Sequence, residues 1–167
     1  MKDHILIRPW KKEDAAGLAS IANNKKIWLN VRDRFPHPYT VSEALQWIGH
    51  TADQKPTQTF GVIYNGAIAG SVGVLLKEDV YKKSVEVGYF IREPFWGKGI
   101  ATKAVALILE YIKKELDVVR IYAEVFETNK ASMRVLEKSG FTLESIRKKA
   151  VFKNNVIMDD YVWVMLL

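Results

Sequence analysis

The sequence predicts one α/β domain spanning residues 1–167, a mixed sheet with helices on its faces. Three observations carry this. A chain of 167 residues suffices for one domain, with at most appendages, and for a sizeable core. No repeat, low-complexity tract or Pro/Gly/Ser-rich linker divides it. Apolar residues alternate between helical spacing and short strand-like runs, in the order β-α-α-β-β-β-α-β-α-β-β.

Taken in order, "HILIRP" (4–9) is a short apolar run stopped by Pro9, a first strand. Ala15, Leu18, Ala19 and Ala22 then recur at helical spacing and end near two asparagines. The prolines of "VRDRFPHPYT" predict an ordered loop, and Thr40 with Glu43 forms a capping box for a second helix. Its expected inner face is Val41, Ala44, Leu45 and Ile48. "QTFGVIY" and "AIAGSVGVLL", joined by Asn65-Gly66, predict a hairpin, because both turn positions want positive φ. "SVEVGYFI" (84–91) is a further strand. The third long helix carries Ile100, Ala104, Leu107, Ile108 and Tyr111 on one side. "VVRIYAEV" (118–125) is a strand, and "NKASMRVLEKSG" a short helix capped by Asn129 and closed by Gly140. Strands near 142–153 and 156–166 meet at Asn154-Asn155.

Composition narrows the functional classes. With 49% hydrophobic and 26% charged residues the chain reads as an ordinary globular protein, without an apolar run long enough to cross a bilayer. "MKDHILIRPW" is too short and interrupted for a signal peptide. The absence of cysteine excludes disulfides and thiolate catalysis and fits a reducing, cytoplasmic location. His4, His37 and His50 lack metal-ligand spacing, so no metal is expected. The formal charge of +6 favours anionic partners. The densest basic cluster, "RKKAVFK" at 147–153, reads as the solvated face of a strand, and direct nucleic-acid binding is not expected. Trp10, Trp28, Trp47 and Trp163 read as core or interface anchors.

The chemistry concentrates in "FWGKGIA" (95–101), a glycine-rich turn between a strand and a helix. The first N–H groups of a helix lack partners and sit in positive potential, and glycine lets an anion approach them. The turn therefore reads as a phosphate cradle. It is not a P-loop, since Arg92 stands where that motif needs glycine and Gly99 where it needs Ser or Thr. Nor is it a dinucleotide fingerprint, whose third glycine would be Thr102.

"EVGYFIREPFWGKGIATKA" followed by "NKASMRVLEKSGF" resembles the GNAT acyl-CoA N-acyltransferase superfamily, and within it the RimJ/RimL-like branch that acetylates ribosomal-protein N-termini. The superfamily loop Q/R-x-x-G-x-G/A is matched by Trp96-Gly97-Lys98-Gly99-Ile100-Ala101, with Trp96 replacing the leading polar residue, as is frequent in that branch. The branch's N-x-x-S-x-x-x-L-x-x-x-G-F is matched by Asn129, Ser132, Leu136, Gly140 and Phe141. The resemblance implies a single, strongly twisted mixed sheet with helices on both faces, and acetyl-CoA (coenzyme A) as cofactor. Gly97 to Thr102 would hold the pyrophosphate with Lys98 adding charge. The main chain of Phe90 and Ile91 would face the pantetheine arm, in a gap where the strand splays from its parallel neighbour. Asn129 would bond that arm and Ser132 would lie near the sulfur. The resemblance is also compatible with a homodimer through the C-terminal strands.

The implied reaction is attack of a neutral amine on a thioester. About a tenth to a fifth of an α-amine is neutral at pH 7, against roughly one lysine in several thousand. A protein N-terminus is therefore the expected acceptor, with a small amine (polyamine, amino sugar or antibiotic) as the alternative. A coenzyme A-binding module without turnover is the alternative of another class. Glu86, in "SVEVGYF", is the candidate base; equally, it could be a strand-end carboxylate paired with a Lys or Arg. Ser132 is the candidate acid, since Leu136 stands where many relatives carry Tyr; it could instead only orient the sulfur or bond within its helix. Asn30, Arg32, Asp33, Phe35 and Tyr39 are the candidate acceptor contacts, in a loop that could equally be packed by its own aromatics.

Overall fold

The computed structural model describes residues 4–167. Seven strands form a single sheet: β1 (Ile5–Pro9), β2 (Thr59–Tyr64), β3 (Ala67–Leu76), β4 (Ser84–Ile91), β5 (Arg120–Phe126), β6 (Thr142–Lys153) and β7 (Val156–Leu166). They lie in the order β1-β2-β3-β4-β5-β7-β6. Five α-helices accompany them: α1 (Ala15–Ala22), α2 (Lys25–Trp28), α3 (Val41–Ala52), α4 (Ile100–Glu115) and α5 (Lys130–Lys138). Every neighbouring pair is antiparallel except β4 and β5.

That exception positions the site. The parallel pairing runs only from Ser84–Arg120 to Glu86–Tyr122. Both strands continue, β4 to Ile91 and β5 to Phe126, but diverge and leave a gap in the middle of the sheet. Beyond the gap β4 remains paired with β3, and β5 with β7.

Alternation along the strands divides the core in two. Val85, Val87 and Ile91 of β4 pack with Ile100, Ala104, Ile108 and Ile112 of α4 and with Leu136 of α5. Phe90, pointing to the other face, joins Trp10, Leu18, Ala22, Tyr39, Ala44 and Ile48 around α1 and α3. At the start of α1, Asp14 accepts from the Lys11 amide at 2.8 Å and from both terminal nitrogens of Arg8. The Arg8 hydrogen bond is the main reason its carboxyl lies below the ordinary range.

Asn65-Gly66 and Asn154-Asn155 are the expected turns, all four residues at positive φ. Three expectations need correction. The inner face of α3 is Ala44, Ile48 and Thr51, whereas Val41 and Leu45 are exposed, because only one stripe of this short helix meets α1. The additional helix α2 follows α1 directly, since Asn24 caps it by accepting from the amides of Lys26 and Ile27. Lastly, β6 is solvated along most of its length, as an edge strand with two register shifts, but Lys153 at its end is buried, only 2% exposed.

Candidate active site

The gap between β4 and β5 has a main-chain end and a side-chain end. At the first, Gly97 and Gly99 both have φ +73°, and Gly99 is the N-cap of α4. A side chain there would be strained by the backbone, while the space a Cβ would take at either glycine is open. The Lys103 amide bonding the Gly99 carbonyl at 3.1 Å is the first bond of the helix, so the amides before it have no helical partner. Trp96 donates its indole N–H to the Ile91 carbonyl at 2.6 Å, tying the loop to the end of β4. Lys98 lies over the Phe95 ring, 5.5 Å from its centroid. Open glycine amides, a helix N-terminus and an adjacent cation fit a diphosphate.

Along β4, the Ile91 carbonyl is taken by Trp96, and the Phe90 carbonyl abuts Gly70 of β3 so closely that a Cβ at Gly70 would collide with it. Gly88, in the diverging stretch, has open space where its Cβ would be. Across the gap Asn129 caps α5, its Oδ1 accepting the Ser132 amide at 3.2 Å. Its amide nitrogen is left as the group that could donate to a bound chain.

Ser132 does not bond within its own helix through its hydroxyl. Its Oγ lies 2.8 Å from the Tyr89 hydroxyl, whose single proton can go to that oxygen or to the Ser132 carbonyl at 3.2 Å. Burial pushes the Tyr89 phenol up to about 12, against the opposing effect of the Ser132 bond. It stays protonated throughout any ordinary pH range. Leu136 is fully buried in the core. The sequence reading missed Tyr89, because strand alternation places it among core residues. Its only signal is that a buried tyrosine hydroxyl needs a polar partner.

The side-chain end is an ionic network drawn from most of the sheet. Glu86 is 13% exposed, and both of its oxygens are engaged. Arg32 meets Oε1 at 2.6 Å; Lys77 meets Oε2 at 2.8 Å, with the Tyr122 hydroxyl at 3.4 Å. The same Arg32 nitrogen reaches Glu124 of β5 at 2.8 Å. Arg147 of β6 pairs with Glu124 at 2.7 Å and with Asp160 of β7. Asp160 is 3% exposed, and its other oxygen has no hydrogen-bond partner among the described residues. Desolvation raises its carboxyl above the ordinary range, opposed by Arg147. Lys153 bonds Asp33 at 2.7 Å and sits 3.8 Å from the centroid of the Trp28 ring, fastening the α2–α3 connection to the tip of β6.

Part of this network lines a cleft of about 340 Å³, bounded by Arg32, Asp33, Glu124, Arg147, Lys153 and Asp160, with Glu86 and Lys77 beside it. Of the candidate acceptor contacts, Arg32 and Asp33 are in it. Asn30 bonds the Lys26 carbonyl and lines an adjoining hollow beyond Lys153. Phe35 and Tyr39 belong to the second core, tilted against each other with ring centroids 4.9 Å apart, with Phe35 edge-on to Phe90 at 5.5 Å. Glu124, Arg147, Lys153 and Asp160 went unrecognised, because nothing in their local sequence distinguishes them from a solvated strand.

Comparison with known proteins agrees with this geometry. The family model described as "Acetyltransferase (GNAT) domain" matches residues 4–142. The probable N-acetyltransferase YjcK of Bacillus subtilis is 46% identical over 80 residues, 48% of this chain and 44% of that protein, so the match spans less than half of that relative. The putative ribosomal N-acetyltransferase YdaF of B. subtilis is 29% identical over 100% of this chain and 93% of its own. The spermidine N(1)-acetyltransferase of Escherichia coli (strain K12) is 28% identical over 84% of this chain and 74% of its own. Among solved structures, RimL, a ribosomal L7/L12 α-N-protein acetyltransferase in complex with coenzyme A, superposes with a TM-score of 0.86. It covers 98% of this chain and 94% of its own at 18% identity, a likeness of fold.

Proposed function

The chain belongs to the GNAT acetyltransferase family and is an N-acetyltransferase that uses acetyl-CoA, and from that premise we propose that its acceptor is the α-amine of a protein N-terminus. The observation that carries the proposal is the charge balance of the acceptor cleft. Arg32, Arg147 and Lys153 line it with Glu124, Asp160 and Asp33, three cations against three carboxylates, and the adjoining Glu86 is matched by Lys77. Such a cleft suits an acceptor with one amine of ordinarily low pKa. A polycation would need an excess of negative charge there, on a chain whose formal charge is +6.

The donor supplies an acyl group already activated as a thioester. Gly97 to Thr102 would hold its diphosphate through backbone amides, and Lys98 would add charge. Asn129 would bond the pantetheine arm, which would run through the gap beside Phe90 and Ile91. Glu86 would take the amine's proton as the N–C bond forms, at the point where β4 and β5 part. As the C–S bond breaks, Ser132 would offer its hydroxyl proton towards the sulfur, backed by the un-ionised Tyr89 phenol. Leu136 contributes packing only.

The spermidine acetyltransferase among the relatives supports a small-amine acceptor as the second reading. Coenzyme A release measured with a panel of free and blocked peptide N-termini and with spermidine decides between them. Turnover of free peptide N-termini is expected; turnover of spermidine alone would reverse the assignment.

A further inference from the structure

We infer that Arg32 occupies the subsite of the acceptor's ammonium group, as a built-in competitor that the incoming amine displaces. This rests on the reading of the protein as an amine acetyltransferase. A single nitrogen of Arg32 lies 2.6 Å from Glu86 and 2.8 Å from Glu124. These carboxylates stand on the two strands that diverge here: Glu86 in the last parallel pair, Glu124 two residues past it on β5. That nitrogen therefore bridges the mouth of the gap, where an attacking amine has to arrive.

The carboxylates do not depend on Arg32 for compensation. Glu86 keeps Lys77 at 2.8 Å, and Glu124 keeps Arg147 at 2.7 Å. Nor are the parts equally fixed. The carboxylate side chains are 13% and 21% exposed on strands, whereas that of Arg32 is 43% exposed on the connection between α2 and α3. The replaceable member of the triad is the cation.

A second observation points to a ligand at the same place. Asp160 lines this cleft, buried, with one carboxylate oxygen that no group among the described residues satisfies. A buried acceptor without a donor is costly, so the cleft holds one more acceptor than its resident cations fill. An ammonium group followed closely by a second N–H, as at a peptide N-terminus, matches the Glu86–Glu124 position with Asp160 behind it.

The test is calorimetric titration of a short peptide with a free N-terminus into the coenzyme A-saturated protein, for wild type, Arg32→Ala and Arg32→Gln. Its N-acetylated form is the control, and unchanged coenzyme A affinity certifies that the variants fold. Two half-exposed ion pairs are worth little each, so relief from competition should tighten free-peptide binding roughly two- to tenfold in both variants. The acetylated peptide should not respond. Equal or weaker binding in the variants overturns the inference, because Arg32 would then be assisting the acceptor or ignoring it. Turnover is read in parallel. Tighter binding without acetylation by wild type would sink the acceptor assignment and keep the subsite; acetylation with weaker binding in the variants would do the reverse. If no protein binds the peptide, both fall.

Discussion

The two ends of the gap between β4 and β5 are built on opposite plans. The loop end is made of main chain: two glycines at positive φ, the free amides of a helix start, and one indole that ties the loop back to its strand. The cleft end is made of charged side chains from β4, β5, β6, β7, the residue just past β3 and the α2–α3 connection. A ligand shared by a whole family can be held by backbone, which no substitution of a surface side chain alters. A ligand particular to one enzyme needs side chains, because these can change independently. On the proposed reading the donor site is local and the acceptor site is assembled.

Substitutions that act on one end and spare the other sharpen this contrast. The largest effect is expected for Glu86→Gln, which removes the proposed proton acceptor and keeps the shape. Its kcat should fall about 10²- to 10³-fold, with the KM for acetyl-CoA nearly unchanged; unaltered kcat would remove Glu86 from the mechanism. Next comes Gly99→Val. Holding a non-glycine residue at φ +73° costs about 1–2 kcal/mol, and a β-branched one is at the upper end. Coenzyme A binding by calorimetry should weaken roughly five- to thirtyfold, and binding as tight as wild type would show that the loop's curvature is dispensable.

A smaller effect, confined to the cleft, is expected for Lys153→Met. A buried cation is replaced by an apolar side chain of similar length, so thermal stability should hold or rise. Without its bond to Asp33 the α2–α3 connection loses its tether to β6, and the acceptor KM should rise about threefold while coenzyme A affinity stays constant. A parallel loss of both affinities would contradict the separation of the two ends. The smallest change is expected for Tyr89→Phe, with kcat down about two- to fivefold through loss of one hydrogen bond to Ser132. Because burial raises this phenol to about 12, its un-ionised form dominates at every lower pH. The pH–rate profiles of wild type and variant should therefore run parallel between pH 6 and 10. A wild-type alkaline limb in that range that vanished in the variant would show the phenol ionising there.

Legibility followed the same division. "FWGKGIA" could be read as an anion cradle because the information lies within a few consecutive residues: glycine tolerates positive φ, and a helix start exposes amides wherever it occurs. Asn129 was readable as a cap, and Asn65-Gly66 as a turn, for the same reason. Glu86 could be singled out, as a carboxylate in an apolar strand, but not its partners, since Lys77, Arg32 and Tyr122 lie 9, 54 and 36 residues away. Lys153 misled most. In a basic run with an alternating pattern it reads as solvated, and only the Trp28 ring and Asp33, more than a hundred residues earlier, explain its burial.

By itself the sequence determined the order and type of the main elements, the family, the cofactor and the glycine-rich turn before α4, because each depends on short-range periodicity or on backbone conformations that few residues allow. Only the tertiary structure decided where β4 leaves β5, which carboxylates face one another across that opening, and that Tyr89 stands behind Ser132. Those relations are set by pairing and packing between distant segments. Coulomb attraction and burial act on distance in space, and a linear sequence does not record that distance.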